Sequence, residues 1–168
     1  LSQVRDAGAI TAGYIDKPQA NYITRLIEIA AYHDKDLDLR KKPPLAGGSD
    51  RWLLAKFLEP GQRSAVFGVQ SRSSKDYTGD FSLHFFYSNV GVETAPCISR
   101  VDIPKWVADN PEMLDLLHNA LIEQTKIFKT TPFPYCLQRA HEEALIRRTD
   151  QEEIETRMVK AMQDAGLD

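Results

Sequence analysis

Blocks of apolar and polar residues along the chain predict an α/β domain. Residues 8–16 form a short apolar stretch relieved by glycine, which predicts a buried strand ending at Asp16. Residues 21–32 place their apolar side chains at helical spacing, so a helix is expected next. A strand, a turn at Lys17-Pro18 and a helix together form the opening half of an α/β unit.

The middle of the chain predicts β-structure. Residues 64–71 contain a short apolar run, and residues 80–90 alternate apolar and polar side chains with the period of a half-buried strand. Residues 97–103 form a third candidate strand with the same alternation. Three consecutive strands joined by loops are most simply an antiparallel meander.

Helices are predicted on either side of these strands. Residues 51–58 are apolar and favour a short helix, and residues 111–129 form a longer one capped by Asn110. Two prolines turn the chain into a helix over residues 135–146, and a capping box at Asp150 begins the last helix. The expected fold is therefore α/β, with a mixed β-sheet flanked by helices.

The chain organisation is expected to be simple. A length of 168 residues fits one domain, residues 1–168. Residues 33–50 carry mixed charges, paired prolines and paired glycines, which predict a flexible connector. The chain begins with Leu1 and not Met, so we expect it to be part of a longer or processed protein.

The charge distribution restricts where nucleic acid would bind. The net charge of −3 creates no global attraction for polyanions. Residues 131–168 hold eight acidic and five basic residues, so a nucleic-acid surface is expected earlier in the chain. Two cysteines without metal spacing indicate a reducing compartment, the cytoplasm, and no apolar run is long enough for a membrane span.

Three places carry candidate chemistry, each with a structural alternative. His141 lies on the apolar face of its predicted helix, so it is either a core residue or a catalytic one. Asp16 ends a strand, where α/β proteins often place reacting groups, although aspartate also begins turns. Arg100 and Asp102 share the polar face of a strand, where they either pair with each other or leave Arg100 to bind phosphate. His118 is expected to pack at the edge of its helix's apolar stripe.

Basic and aromatic residues near the predicted strand ends suit single-stranded nucleic acid, through base stacking and phosphate contacts. The alternative is that they are scattered, solvated loop residues. They are Arg63, Arg72, Lys75, Lys105, Tyr77 and Trp106.

Four segments, in this order, resemble the C-terminal half of the NurA nuclease family. They are AGYIDKP at 12–18, SRVDIPKWV at 99–107, LDLLHNALIEQ at 114–124 and PFPYCLQRAH at 132–141. The resemblance implies a fold similar to ribonuclease H and a manganese- or magnesium-dependent 5′–3′ nuclease that processes DNA ends in double-strand break repair. It also implies a homodimer that works with a HerA-type hexameric ATPase.

The resemblance also implies which residues act. His141 matches the family histidine, Tyr135 matches the second aromatic of the motif, and Phe133 stands where the family often has tyrosine. The family binds metal through carboxylates in Asp-Gly segments, which this chain lacks, and Asp16 would be a weak substitute. We therefore expect a partial domain that carries helper residues without the metal core. The alternative is a non-catalytic module that binds DNA or an ATPase.

If the resemblance holds, DNA would be contacted by basic residues from several parts of the chain. These are Lys17, Arg72, Arg100 and Lys105.

Overall fold

A computed structural model of the chain describes residues 1–32, 44–45, 48–70, 76–128, 132–145 and 148–166. The chain divides into two compact units, Leu1–Pro134 and Tyr135–Asp168. Most of the predicted connector, at positions 33–43, 46 and 47, lies outside the described residues.

The first unit contains a four-stranded sheet in the order β1-β4-β3-β2. The strands are β1 (Gly13–Ile15), β2 (Phe67–Gly68), β3 (Leu83–Asn89) and β4 (Ile98–Pro104). The predicted meander is confirmed, because β2, β3 and β4 are consecutive antiparallel neighbours.

The prediction of a mixed sheet is wrong, since every neighbouring pair among the described strands is antiparallel. A strand followed by a helix favours a parallel partner only when the chain returns to an adjacent position in the sheet. Here β1 and β2 occupy opposite edges of the sheet, and the described residues between them include two helices.

Five helices belong to the first unit and two to the second, among the residues that are described. They are α1 (Ser2–Asp6), α2 (Tyr22–Tyr32), α3 (Asp50–Leu54), α4 (Lys105–Ala108), α5 (Pro111–Ile127), α6 (Tyr135–Ala144) and α7 (Arg148–Asp164). The predicted cap of α5 is confirmed, because the Asn110 side chain accepts a hydrogen bond from the Met113 N–H at 3.1 Å.

The sheet is covered by helices on both faces. On one face, Ile23 of α2 and Leu54 of α3 pack with Phe85, Tyr87 and Ile98. On the other, side chains from α4 and α5 pack with β3 and β4; this cluster comprises Phe86, Val101, Ile103, Val107 and Leu114. The expected α/β fold is therefore confirmed. The prediction that β3 is half-buried is wrong, because consecutive side chains at its centre are buried on opposite faces.

The turn between β3 and β4 requires glycine at position 91. The Asn89 side-chain oxygen accepts hydrogen bonds from the N–H groups of Gly91 and Cys97, both at 3.1 Å. A Cβ atom at Gly91 would overlap the Ala95 carbonyl oxygen and the Cys97 nitrogen. Both are backbone atoms, so no side-chain rotation can relieve the clash.

We expect Gly91→Ala to lower the free energy of unfolding by about 1–3 kcal/mol, the usual cost of overpacking. Chemical denaturation monitored by circular dichroism measures this change. Gly68→Ala is the matched control, because its nearest side-chain neighbour would be an ordinary 3.6 Å contact with His84. Equal stability of the two variants would contradict this explanation of the turn.

Candidate functional site

A buried carboxylate connects α3, α2 and β3 on the first face of the sheet. Asp50 is completely buried. One of its oxygens accepts hydrogen bonds from the Thr24 N–H and hydroxyl at 2.9 and 3.0 Å. The other accepts from the Tyr87 hydroxyl at 2.7 Å. Burial, reinforced by the neighbouring carboxylate, raises the pKa of Tyr87 above its usual value, so this phenol stays protonated as a donor.

Arg100 and Asp102 form a two-point ion pair beside this cluster. The Arg100 Nε lies 2.8 Å from one Asp102 oxygen, and an Nη atom lies 3.0 Å from the other. The guanidinium carbon is also 5.5 Å from the ring centres of Tyr22 and Phe85. Only 16% of the Arg100 side chain is exposed. The pairing that the sequence left open is therefore present.

Asp16 and Lys17 lie at the end of β1. The Lys17 Nζ is 3.5 Å from an Asp16 oxygen, and 35% of the Asp16 side chain is exposed. Lys17 has a φ of 46°, in the left-handed region that a non-glycine residue seldom occupies. Burial, with the Asp16 charge as a second cause, raises the pKa of the Cys97 thiol. Asp16 is thus a partly exposed, paired carboxylate.

The described carboxylates do not fit a catalytic manganese or magnesium centre. Metal-assisted phosphodiester hydrolysis requires clustered oxygen ligands. Within the described ranges, no group of three or more His, Cys, Asp or Glu side chains is placed to hold an ion. The interior Asp50 is committed to hydroxyl and amide donors, and Asp102 is committed to Arg100.

Phe133 belongs to the first unit and packs against β1. Its ring meets Tyr14 edge to face, with centres 5.4 Å apart and planes at 88°. Burial raises the pKa of Tyr14 to about 12, so that phenol is neutral at physiological pH. Phe133 itself has no group that can transfer a proton, and its contact is a packing contact.

Tyr135 and His141 lie on α6 in the second unit. None of the side chains of α6 is buried. His141 is exposed on α6, which does not support the core alternative for this residue. The helical spacing was correct, but the described residues of the second unit provide no buried core for the apolar face of α6 to join. Six helical residues separate the two side chains by about 9 Å along the axis and about 240° around it. Tyr135 and His141 therefore do not share a face of α6.

Described members of the predicted basic rim contact other protein groups. Lys105 pairs with Asp109, and Arg63 lies 3.0 Å from Asp115. Trp106 packs edge-on against Phe81 with ring centres 5.6 Å apart. Arg72 and Lys75 lie outside the described residues.

His118 of α5 is half-buried against β3, in agreement with the prediction that it packs at the edge of the stripe. Its Nε2 lies 3.1 Å from the Ser88 hydroxyl, and its ring meets Phe86 edge-on. Burial lowers the pKa of His118, the Arg63 charge lowers it further, and Asp115 opposes the shift. The neutral imidazole is therefore favoured in the folded protein.

Comparison with known proteins identifies one family. The family model of the NurA domain matches residues 3–146. No curated protein and no solved structure matches the chain significantly. Within the part of the chain that is described, no helix has the length and apolar character needed to cross a membrane.

We expect Tyr87→Phe to reduce the free energy of unfolding by about 1–3 kcal/mol, because it leaves a buried carboxylate oxygen without its donor. Urea denaturation provides the measurement. Tyr77→Phe, at a tyrosine that is 40% exposed, is the control and should be neutral. A neutral Tyr87→Phe would show that the buried hydrogen bond is not needed.

Protonation of His118 should make the folded protein less stable as the pH falls. Its pKa is lower in the folded than in the unfolded chain, so the unfolded chain takes up a proton first as the pH decreases. The free energy of unfolding should therefore decline as the pH falls through the unfolded value of about 6.5. Denaturation from about pH 8 to about pH 5 should show a shallower decline for His118→Gln than for His84→Gln. Parallel profiles would contradict the role assigned to His118.

Proposed function

This chain belongs to the NurA family, and we propose that it is the C-terminal part of a DNA end-processing nuclease that acts in double-strand break repair. Family membership by itself supports a nuclease-type function and interaction with DNA in general. In the proposal, this chain supplies groups that bind and position DNA within a ribonuclease H-like fold. The carboxylates that bind manganese or magnesium are proposed to come from residues outside this 168-residue chain.

The observation that carries the proposal is the family match across residues 3–146. The carboxylates of this chain support the proposal that the metal is bound elsewhere. A metal-dependent nuclease needs clustered carboxylates, which the described residues do not provide. The chain also lacks the Asp-Gly segments that the resemblance associates with metal binding.

Of the three residues expected to help catalysis, His141 has the most suitable chemistry. An exposed imidazole can hydrogen-bond a phosphate or transfer a proton. Phe133 has no ionisable group, and Tyr135 presents its phenol from another face of α6. We propose that His141 acts on the scissile phosphate and that Tyr135 contacts DNA nearby.

The DNA-contacting residues of the proposal are Lys17 and Lys105, whose side chains are 67% and 42% exposed. Arg72 lies outside the described residues and is proposed as a DNA contact on the basis of the sequence. Arg100 is a weaker candidate for direct phosphate contact, because its pair with Asp102 uses two of its donors and only 16% of its side chain is exposed.

We also propose that the partners are a second copy of the chain and a HerA-type hexameric ATPase, on the grounds of family membership. α7 lies beyond the family match and offers apolar side chains for such contacts. Ile154, Met158, Val159 and Met162 are each at least 47% exposed.

The second candidate function is a non-catalytic module that binds DNA or an ATPase. The lack of a metal-binding group among the described residues favours it. It differs from the nuclease proposal in one respect: His141→Ala should leave its function unchanged.

A nuclease assay with manganese on linear single- and double-stranded DNA distinguishes the two functions. We expect the 168-residue chain to bind DNA without cutting it, and the native gene product to cut. His141→Ala in the native product should slow cleavage by about 100-fold or more, the usual contribution of a general acid or base. His84→Ala is the matched histidine control and should retain activity.

Cleavage by neither protein would favour the binding module. Manganese-dependent cleavage by the 168-residue chain, lost on His141→Ala, would contradict the proposed division of labour.

A further inference from the structure

A cleft of about 510 Å³ lies between α2 and the edge strand β2. This volume is within the range of small-ligand pockets. Its walls include Tyr22, Arg25, Leu26, Phe67, Gln70 and Phe85, and no carboxylate is among its described lining residues. The cleft is therefore mostly apolar, with one cation and one amide as its main polar side chains.

Three aromatic rings form one side of the cleft. Phe85 is only 3% exposed and forms the base. Phe67 stacks against it with ring centres 5.6 Å apart and planes at 27°. Tyr22 lies 5.5 Å from the same ring at 49° and remains 49% exposed. Tyr22 therefore keeps ring surface available to a planar ligand.

The ring arrangement is held in place by the neighbouring charged groups. The Arg100 guanidinium lies 5.5 Å from the centres of both Tyr22 and Phe85, a favourable cation–π distance. Asp102 fixes that guanidinium from the side through two hydrogen bonds. Arg100 is thus a positioning residue for the aromatic wall. This role accounts for its pairing with Asp102 better than direct contact with a phosphate does.

The polar groups of the cleft suit the edge of a base. Gln70 offers an amide that can both donate and accept hydrogen bonds. Arg25 is held 2.6 Å from the buried Glu28 and has 32% of its side chain exposed. A planar aromatic ligand with polar edges matches this combination, and a nucleic-acid base is such a ligand.

We propose that this cleft binds one unstacked base of single-stranded DNA, by stacking on Tyr22 and Phe67. The inference rests on the proposed function, since it assumes that the chain acts on DNA. Every base has a π-face, so the cleft would hold a frayed or single-stranded end with little sequence preference. It would thereby favour a DNA end over an intact duplex.

Fluorescence anisotropy with a labelled thymidine oligonucleotide tests the cleft. A second oligonucleotide of the same length, with abasic sites in place of bases, should bind the unaltered chain more weakly. We expect Tyr22→Ala and Phe67→Leu each to weaken binding of the normal oligonucleotide by about 5- to 100-fold, the usual effect of losing one stacked base. Tyr22→Phe, which keeps the ring, should bind normally.

Two controls separate stacking from stability and from general DNA affinity. Phe57→Ala removes a ring that is 72% exposed and does not line the cleft, and it should bind normally. Thermal unfolding of every variant identifies any that is misfolded. The abasic comparison uses only the unaltered chain, so it can overturn the proposal even if Tyr22→Ala unfolds.

The outcomes separate the cleft from the function on which it rests. Two results would overturn the proposed base-binding cleft and leave the proposed function intact. One is equal binding of the normal and abasic oligonucleotides, and the other is normal binding by folded Tyr22→Ala and Phe67→Leu. Failure of the chain to bind single- or double-stranded DNA would overturn both.

Discussion

The hydrogen bond between the Asp50 carboxylate and the Tyr87 hydroxyl is the constraint on which the first face of the sheet depends. A buried charge without partners costs several kcal/mol, so α3 can pack on the sheet only where β3 presents this phenol and α2 presents Thr24. Asp50 therefore fixes α2 and α3 relative to β3. The Arg100 guanidinium lies 5.5 Å from the centres of both the Tyr22 and Phe85 rings and pairs with Asp102. Because Tyr22 lies on α2 and Phe85 lies on β3, the hydrogen bonds of Asp50 to these two elements also help to position these two rings.

The same constraint explains why the described part of the chain does not form a metal centre. A carboxylate that accepts three protein donors has little capacity left for a cation, and one that pairs with arginine is already neutralised. The carboxylates of Asp50 and Asp102 therefore serve as hydrogen-bonding partners within the fold. A NurA-family nuclease whose metal ligands come from elsewhere is consistent with this use of acidic side chains. The surfaces that we propose for DNA are an aromatic cleft on one unit and an exposed histidine on the other.

Local chemistry made much of the fold predictable. The Asn110 cap, the helical periodicity after it and the alternation in β3 are short-range signals, and each element formed where the pattern placed it. Strand pairing at the edge was not predictable in the same way, because the position of β1 beside β4 depends on contacts far apart in the chain. The buried role of Asp50 was also missed, since an aspartate after a serine resembles an ordinary helix start. The periodicity around His141 identified a helix face, but it carried no information on whether a core existed to cover that face.

Manganese binding tests the central claim most directly, because it asks whether this chain holds a metal centre without requiring DNA or turnover. Electron paramagnetic resonance detects free aqueous Mn²⁺, and its signal decreases when the ion is bound to protein. We predict that adding the 168-residue chain at a concentration equal to the ion leaves the signal essentially unchanged. The native gene product should reduce it. Stoichiometric loss of the signal with this chain alone would contradict the account, since its carboxylates would then bind the metal that we assign to residues elsewhere.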